Sequence, residues 1–241
     1  MNPQPVKDEI IARYSSAFGK DYLSYELENE AAFLKLQQLA LKDAGFYELE
    51  KALMANAANE EPPSVLDVGC ATGALLAFLR DRGWRVTGVE ISPCAEYAHK
   101  ERNLDIRNLP LEENNFPSGC FDAVLASHLI EHLNDPRSFL TETHRVLKNG
   151  GRVFITTPNI SGFQARLYGG RWRSAIFDHL YLFSVRTLTN LLKSAGFKIE
   201  KVSTWGGLAA GLAPLLLKRT ADYLSKHLGC GDVMIVKAKK I

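Results

Sequence analysis

Two acidic residues stand where an apolar pattern gives them little company. Asp67 lies inside Ser64–Val68, a run apolar enough for a buried strand, and the chain then turns through Gly69-Cys70-Ala71-Thr72-Gly73. A carboxylate in such a strand needs polar partners, because burying one without them is strongly unfavourable. Glycines at the turn permit positive φ and let a ligand approach the backbone closely. A helix beginning there presents unpaired N–H groups and a partial positive charge, which suits an anionic group. Glu90 ends the next apolar run, Trp84–Ile91. An acid at that place and spacing hydrogen-bonds the ribose diol in β-α-β nucleotide folds. Dinucleotide sites use G-x-G-x-x-G, whose middle glycine lets backbone reach a pyrophosphate. Here that position is Ala71. The turn therefore suits a smaller ligand, such as the amino-acid end of a nucleoside, better than a pyrophosphate.

The elements that must hold these residues alternate from Ser64 onward. Ser64–Val68 reads as strand, and Ala74–Arg82 as a helix closed by Gly83. Trp84–Ile91 is the second strand, Pro93–Arg102 a helix with proline in its first turn, and Leu104–Ile106 a short third strand. Phe121–Ser127 follows, then a helix from about Asp135 to Lys148 stopped by Asn149-Gly150-Gly151, and a fifth strand at Arg152–Thr157. Ser184–Ala195 reads as a helix with Ser184 as N-cap and Gly196 after its end. Phe197–Thr204 and Asp232–Lys239 complete seven strands, with residues 206–231 between them as a helical excursion. The alternation predicts an α/β fold, doubly wound, with a mostly parallel seven-stranded sheet and helices on both faces. Residues 1–60 read as a helical N-terminal extension, ended by Glu61-Pro62-Pro63-Ser64.

Taken in order, VLDVGCATG (65–73), VEIS (89–92), FDAVLASHLIEHLNDP (121–136) and LKNGGRVFITTPN (147–159) resemble the class I S-adenosylmethionine (SAM)-dependent methyltransferases. The stretch DHLYLFSVRTLTNLLKSAGFKIEKV (178–202) resembles a small-molecule-type subgroup of them. The resemblance implies a Rossmann-like core over 61–241 with an antiparallel last strand, and SAM as cofactor with S-adenosylhomocysteine (SAH) as product. It implies that Asp67, Gly69, Cys70 and Gly73 surround the methionine part of SAM, that Glu90 binds ribose, and that Ile91 lies beside adenine. The Leu-Pro at 109–110 places Asp105 and Ile106 at the adenine, with Leu104 where the family usually has glycine and Asn108 as the alternative contact. Ser127 and His128, at the carboxyl end of a strand, face the cleft by the rule for open parallel sheets.

Other residues carry two readings. His128 and His179 are candidate general bases for an oxygen acceptor of high pKa; His179 and Tyr181 in FDHLYLFS can equally pack a loop. The Glu131-His132 pair reads as structural. Oxygen-rich carboxylate clusters for magnesium or calcium are not assembled in the sequence, and the four scattered cysteines form no zinc pattern, so no metal is expected. Arg166, Arg171 and Arg173 lie in the long connection 158–183, a place for acceptor contacts or a solvated loop. Tyr14, Phe18, Tyr22 and Tyr25 form either a packing face or, on the resemblance, a lid over cofactor and acceptor. The apolar and basic residues of 207–229 suit a core helix pair, a peripheral membrane contact or a dimer contact.

Composition bounds the function classes. The 241 residues are 46% hydrophobic, enough for a sizeable core, and 29 basic against 27 acidic residues leave a net charge of +2. So small a balance argues against a dedicated nucleic-acid binder. The N-terminal MNPQPVKDEI has no apolar signal region, and reduced cysteines fit the cytoplasm, where the protein is expected. The sequence thus points to a SAM-dependent methyltransferase acting on a small-molecule or lipid- or glycan-linked acceptor. A non-catalytic SAM-fold binding or partner protein is the alternative.

Overall fold

A computed structural model describes residues 17–56, 61–206, 220, 223, 225, 226 and 229–241. Among the described residues, two helices, α1 (Ala17–Ala44) and α2 (Phe46–Asn56), precede the sheet, and Gly45 at φ +77° makes the corner between them. The sheet elements follow in the order β1 (Ser64–Val68), α3 (Ala74–Arg80), β2 (Arg85–Val89), α4 (Cys94–Arg102), β3 (Ile106–Arg107) and β4 (Phe121–Ser127). Then come α5 (Pro136–Val146), β5 (Leu147–Pro158), α6 (Phe163–Tyr168), α7 (Val185–Ser194), β6 (Phe197–Trp205) and β7 (Val233–Lys240). The spatial order is β3-β2-β1-β4-β5-β7-β6, and β7 runs antiparallel to both neighbours. The order reverses between β1 and β4, so the carboxyl ends of these strands open the crevice where ligands of such sheets bind.

One core layer joins β1, β4, β5 and β7 to α5 and α7 through Leu66, Val124, Phe139, Leu140, Ile155, Leu188 and Val236. The opposite layer packs α1, α2 and α3 on the sheet through Leu41, Phe46, Val65, Leu79, Trp84 and Phe154. The ends of α1 and α2 are thus core. Glu50 fixes α2 there, accepting from Trp84 Nε1 at 2.9 Å and pairing with the Arg82 guanidinium. Burial favours its neutral form, but the hydrogen bonds from Arg82 and Trp84 outweigh that and hold the carboxyl below its usual range.

The expected strand and helix alternation stands, with boundaries shifted: the third strand is Ile106–Arg107 rather than Leu104–Ile106, and the end of the helix after β4 is corrected. Asn149-Gly150-Gly151 does not stop a helix running to Lys148: α5 ends at Val146, and β5 already begins at Leu147. Leu147 pairs with Phe121, the register then shifts, and pairing resumes at Arg152 with Ala123. Gly150 at φ +76° and Gly151, where a Cβ would stand 2.9 Å from Lys148 O, allow this bulge. The glycines mark a bulge in a strand, which single-sequence patterning reads equally as a helix terminator. At the other end of the chain, Ser184 caps α7 as expected, with Thr187 closing a capping box. Most of the 207–229 segment, and with it the membrane or dimer reading, lies outside the described residues. Among the described residues no helix is long and apolar enough to cross a membrane.

Candidate functional site

The turn after β1 is built from backbone that few side chains tolerate. Gly69 and Gly73 both have φ +74°, and a Cβ on Gly73 would stand 2.6 Å from Leu104 Cδ1. Ala71 also has positive φ, +46°, a conformation that costs an L-residue about 1–2 kcal/mol. That conformation turns the Ala71 N–H onto Glu90 Oε2 at 2.9 Å. The Ser92 N–H donates to Glu90 Oε1 at 2.8 Å. Glu90 is buried, so its carboxylate is held in one orientation by two amides. Each oxygen keeps a lone pair, and together they form a two-point acceptor matched to a vicinal diol.

Asp67 has the opposite character. It is 1% exposed, and its Oδ1 has no hydrogen-bond partner among the described residues. Burial, and then the Glu90 charge, push its carboxyl up to about 8. A buried acid without a partner is costly, and a cationic group delivered to it would relieve that cost. Burial with the nearby acids also pushes the Cys70 thiol well up, and burial raises Cys94 to about 12. Neither thiol is therefore a nucleophile at neutral pH.

Beyond Glu90 a cleft of about 410 Å³ is lined by Ile91, Ser92, Pro93, Ala95, Glu96, His99, Ile106 and Asn108. Ile91 and Ile106, expected beside adenine, meet there. Asp105 does not line it: its half-exposed carboxylate pairs with Arg107 Nε at 3.2 Å. Asn108 lines the cleft, and its Nδ2 donates to Glu90 O at 2.6 Å. Gly88 lets these walls close, since a Cβ there would lie 2.5 Å from Ile106 Cδ1 and 2.7 Å from Cys70 Sγ.

α1 lies against the same turn. Glu30 Oε2 accepts from Thr72 Oγ1 at 2.6 Å, and Glu30 Oε1 accepts from Arg102 Nη2 at 2.6 Å. The Tyr22 hydroxyl bonds to Glu26, and burial followed by the Glu90 charge pushes that phenol far up. Tyr22, Glu26 and Glu30 are spaced by four residues, one face of a helix. That spacing was readable in the sequence, yet only the aromatic residues were singled out there. Tyr14 lies outside the described residues.

At the carboxyl end of β4, Ser127 is partly buried and His128 is half-exposed with φ +53°. His128 Nδ1 is 3.2 Å from Glu131 Oε1, and Thr157 Oγ1 donates to Glu131 Oε2 at 2.9 Å. Glu131 is fully buried. Burial favours its neutral form, but the His128 hydrogen bond and the nearby His128 and His132 charges hold its carboxyl below the usual range. The connection after β5 folds back onto this corner: Tyr181 N–H donates to Glu131 O, and the Tyr181 hydroxyl donates to Asn134 O. His179 packs edge-on against His132 with ring centres 4.8 Å apart. The sequence separates these residues widely, and the fold gathers them. Arg171 ends a short 3-10 turn, Gly169–Arg171, and is exposed.

This sheet order and crevice go with matches to known proteins. A profile for a methyltransferase domain matches residues 41–202, and the chain belongs to the class I SAM-dependent methyltransferases. A protein of Mycolicibacterium smegmatis described as a probable S-adenosylmethionine-dependent methyltransferase is 35% identical over 155 residues, 63% of this chain and 58% of its own. The mitochondrial ubiquinone biosynthesis O-methyltransferase of Rattus norvegicus is 39% identical over 107 residues, 39% of this chain and 30% of its own. The chain therefore spans under two thirds of the length of either relative. A SAM-dependent methyltransferase of Thermotoga maritima shares the fold at TM-score 0.59 and 22% identity, over 87% of this chain and 97% of its own.

Proposed function

We propose that this protein transfers a methyl group from SAM to a hydroxyl oxygen of a small-molecule or lipid- or glycan-linked acceptor. The observation that carries the reading is the pairing of two buried acids of opposite character across one turn. Glu90, held by the Ala71 and Ser92 amides, accepts from the ribose hydroxyls. Asp67, with a free Oδ1, takes the cationic amino-acid end, beside Gly69, Cys70 and Gly73. Ile91 and Ile106 sandwich the adenine, and Asn108 reads its edge in preference to Asp105, whose carboxylate is engaged with Arg107. The O-methyltransferase names of the relatives support an oxygen acceptor.

SAM, when bound, supplies an electrophilic methyl on a sulfonium whose positive charge is lost in the transfer. The chain's contribution is orientation and exclusion of water, which can lower such a barrier by about 7–11 kcal/mol. α1 serves as the lid, with the Glu30 contacts to Thr72 and Arg102 as its latch over the turn. His128 is the general base. Glu131, buried and ionised, holds the proton on His128 Nδ1, which leaves Nε2 as the lone pair that removes the acceptor proton. Tyr22, Tyr181 and Arg171 border the acceptor side. Turnover of radiolabelled SAM with a panel of phenolic and lipid-linked hydroxyl acceptors tests the reading. Methyl transfer that His128→Gln slows at least about tenfold supports it; SAM binding without transfer to any acceptor favours a non-catalytic SAM-binding partner instead.

A further inference from the structure

Glu131, His132 and His179 are brought together by two segments distant in sequence, the 3-10 turn Ile130–His132 after β4 and the connection between β5 and α7. One donor atom from each lies within 4.8 Å of the others. The hydrogen bonds around them have the form that surrounds metal ligands. His132 Nδ1 lies 2.9 Å from Asp178 O, and His179 Nδ1 lies 2.7 Å from Ser174 O. A carbonyl can only accept, so both rings carry their proton on Nδ1 and the neutral form has its lone pair on Nε2. Metal-bound histidines have the same arrangement, with the other ring nitrogen donating to a carbonyl or carboxylate that fixes the tautomer. The carboxylate is likewise oriented by its own partners, His128 Nδ1 and Thr157 Oγ1, and each oxygen retains a lone pair.

We propose that Glu131, His132 and His179 bind a divalent transition cation such as zinc through one carboxylate oxygen and two imidazole Nε2 atoms. Two nitrogen donors with one carboxylate select zinc, cobalt or iron(II) over magnesium or calcium, which take oxygen ligands. Bonds of about 2.1 Å in a tetrahedron place donors roughly 3.4 Å apart. The donor atoms lie within 4.8 Å of one another, so a bound cation would draw them together by roughly an ångström. Three protein ligands leave a coordination position open. An acceptor oxygen taking that position would lose its proton more readily, a role that rests on the methyl-transfer reading; cation binding itself does not.

The test uses the untagged full chain, stripped with a chelator and titrated with Co²⁺ and then Zn²⁺. One equivalent of Co²⁺ per chain is expected to give visible d–d absorption that Zn²⁺ abolishes. His179→Gln and His132→Gln are expected to weaken binding by at least about 10–100-fold while SAH affinity and circular dichroism stay unchanged. A wild-type chain that takes up no stoichiometric Co²⁺ or Zn²⁺ overturns the proposal, whatever the variants do. So does a folded His132→Gln/His179→Gln double variant that binds like wild type. Failure of SAH binding in the wild type would instead strike the proposed function.

Discussion

On the proposed reading, Asp67 makes the cofactor site sensitive to pH. Its carboxyl is pushed up to about 8 by burial and by Glu90, from an ordinary value of 3.8. The folded state therefore holds this proton more tightly than the unfolded chain does. The resulting stabilisation is complete below about pH 4 and is lost as pH rises towards 8. A cationic ligand beside Asp67 reverses the preference, because it favours the carboxylate. Below pH 8 the ligand must first displace a proton, so SAM affinity falls with a slope approaching tenfold per pH unit, or about 50-fold between pH 8 and 6. Calorimetry at pH 7 in buffers of differing ionisation enthalpy measures the proton released, which approaches one per SAM bound. Asp67→Asn abolishes both the proton release and the pH slope. Buffer-independent heats and an affinity flat from pH 6 to 8 in the wild type would refute the reasoning.

Glu90→Gln keeps the size of the side chain but removes the charge-assisted acceptor of two amides, and SAM affinity drops by about 10–100-fold on titration. Gly88→Ala forces a Cβ between Ile106, Cys70 and Leu76; it destabilises the fold by about 1–3 kcal/mol in chemical denaturation and narrows the cleft proposed for adenine. Glu50→Gln leaves the Trp84 indole N–H and the Arg82 guanidinium with a poorer acceptor, at a cost of about 1–2 kcal/mol, discounted because Arg82 is partly exposed. Since the Glu50 carboxyl is held below its usual range, the wild-type advantage is present above about pH 4.5 and fades as pH falls through the folded value. Glu30→Gln loosens the latch to Thr72 and Arg102, raising the SAM dissociation rate in stopped-flow measurements several-fold with little loss of stability.

Local order explains what was legible. The β1 turn, the Glu90 position and the Ser184 cap are each set by a handful of consecutive residues, so the sequence carries them openly. Gly150 and Gly151 were ambiguous because a bulge and a helix stop use the same residue type, and only pairing of Leu147 with Phe121 separates the two. Asp105 and Asn108 differ by three positions in an irregular stretch, where the side-chain direction is decided by Arg107 and by the Glu90 carbonyl. The Tyr22-Glu26-Glu30 face gains its meaning from the turn it covers, a long-range contact. The grouping of His179 with Glu131 and His132 depends on how the connection after β5 folds back, which no local pattern encodes.

Binding of SAH to the full chain by isothermal titration tests the central claim most directly. The account predicts saturable binding of one SAH per chain, competed by SAM, untouched by NAD⁺ and weakened by Glu90→Gln. Absence of SAH binding, or an affinity that Glu90→Gln leaves unchanged, would contradict it.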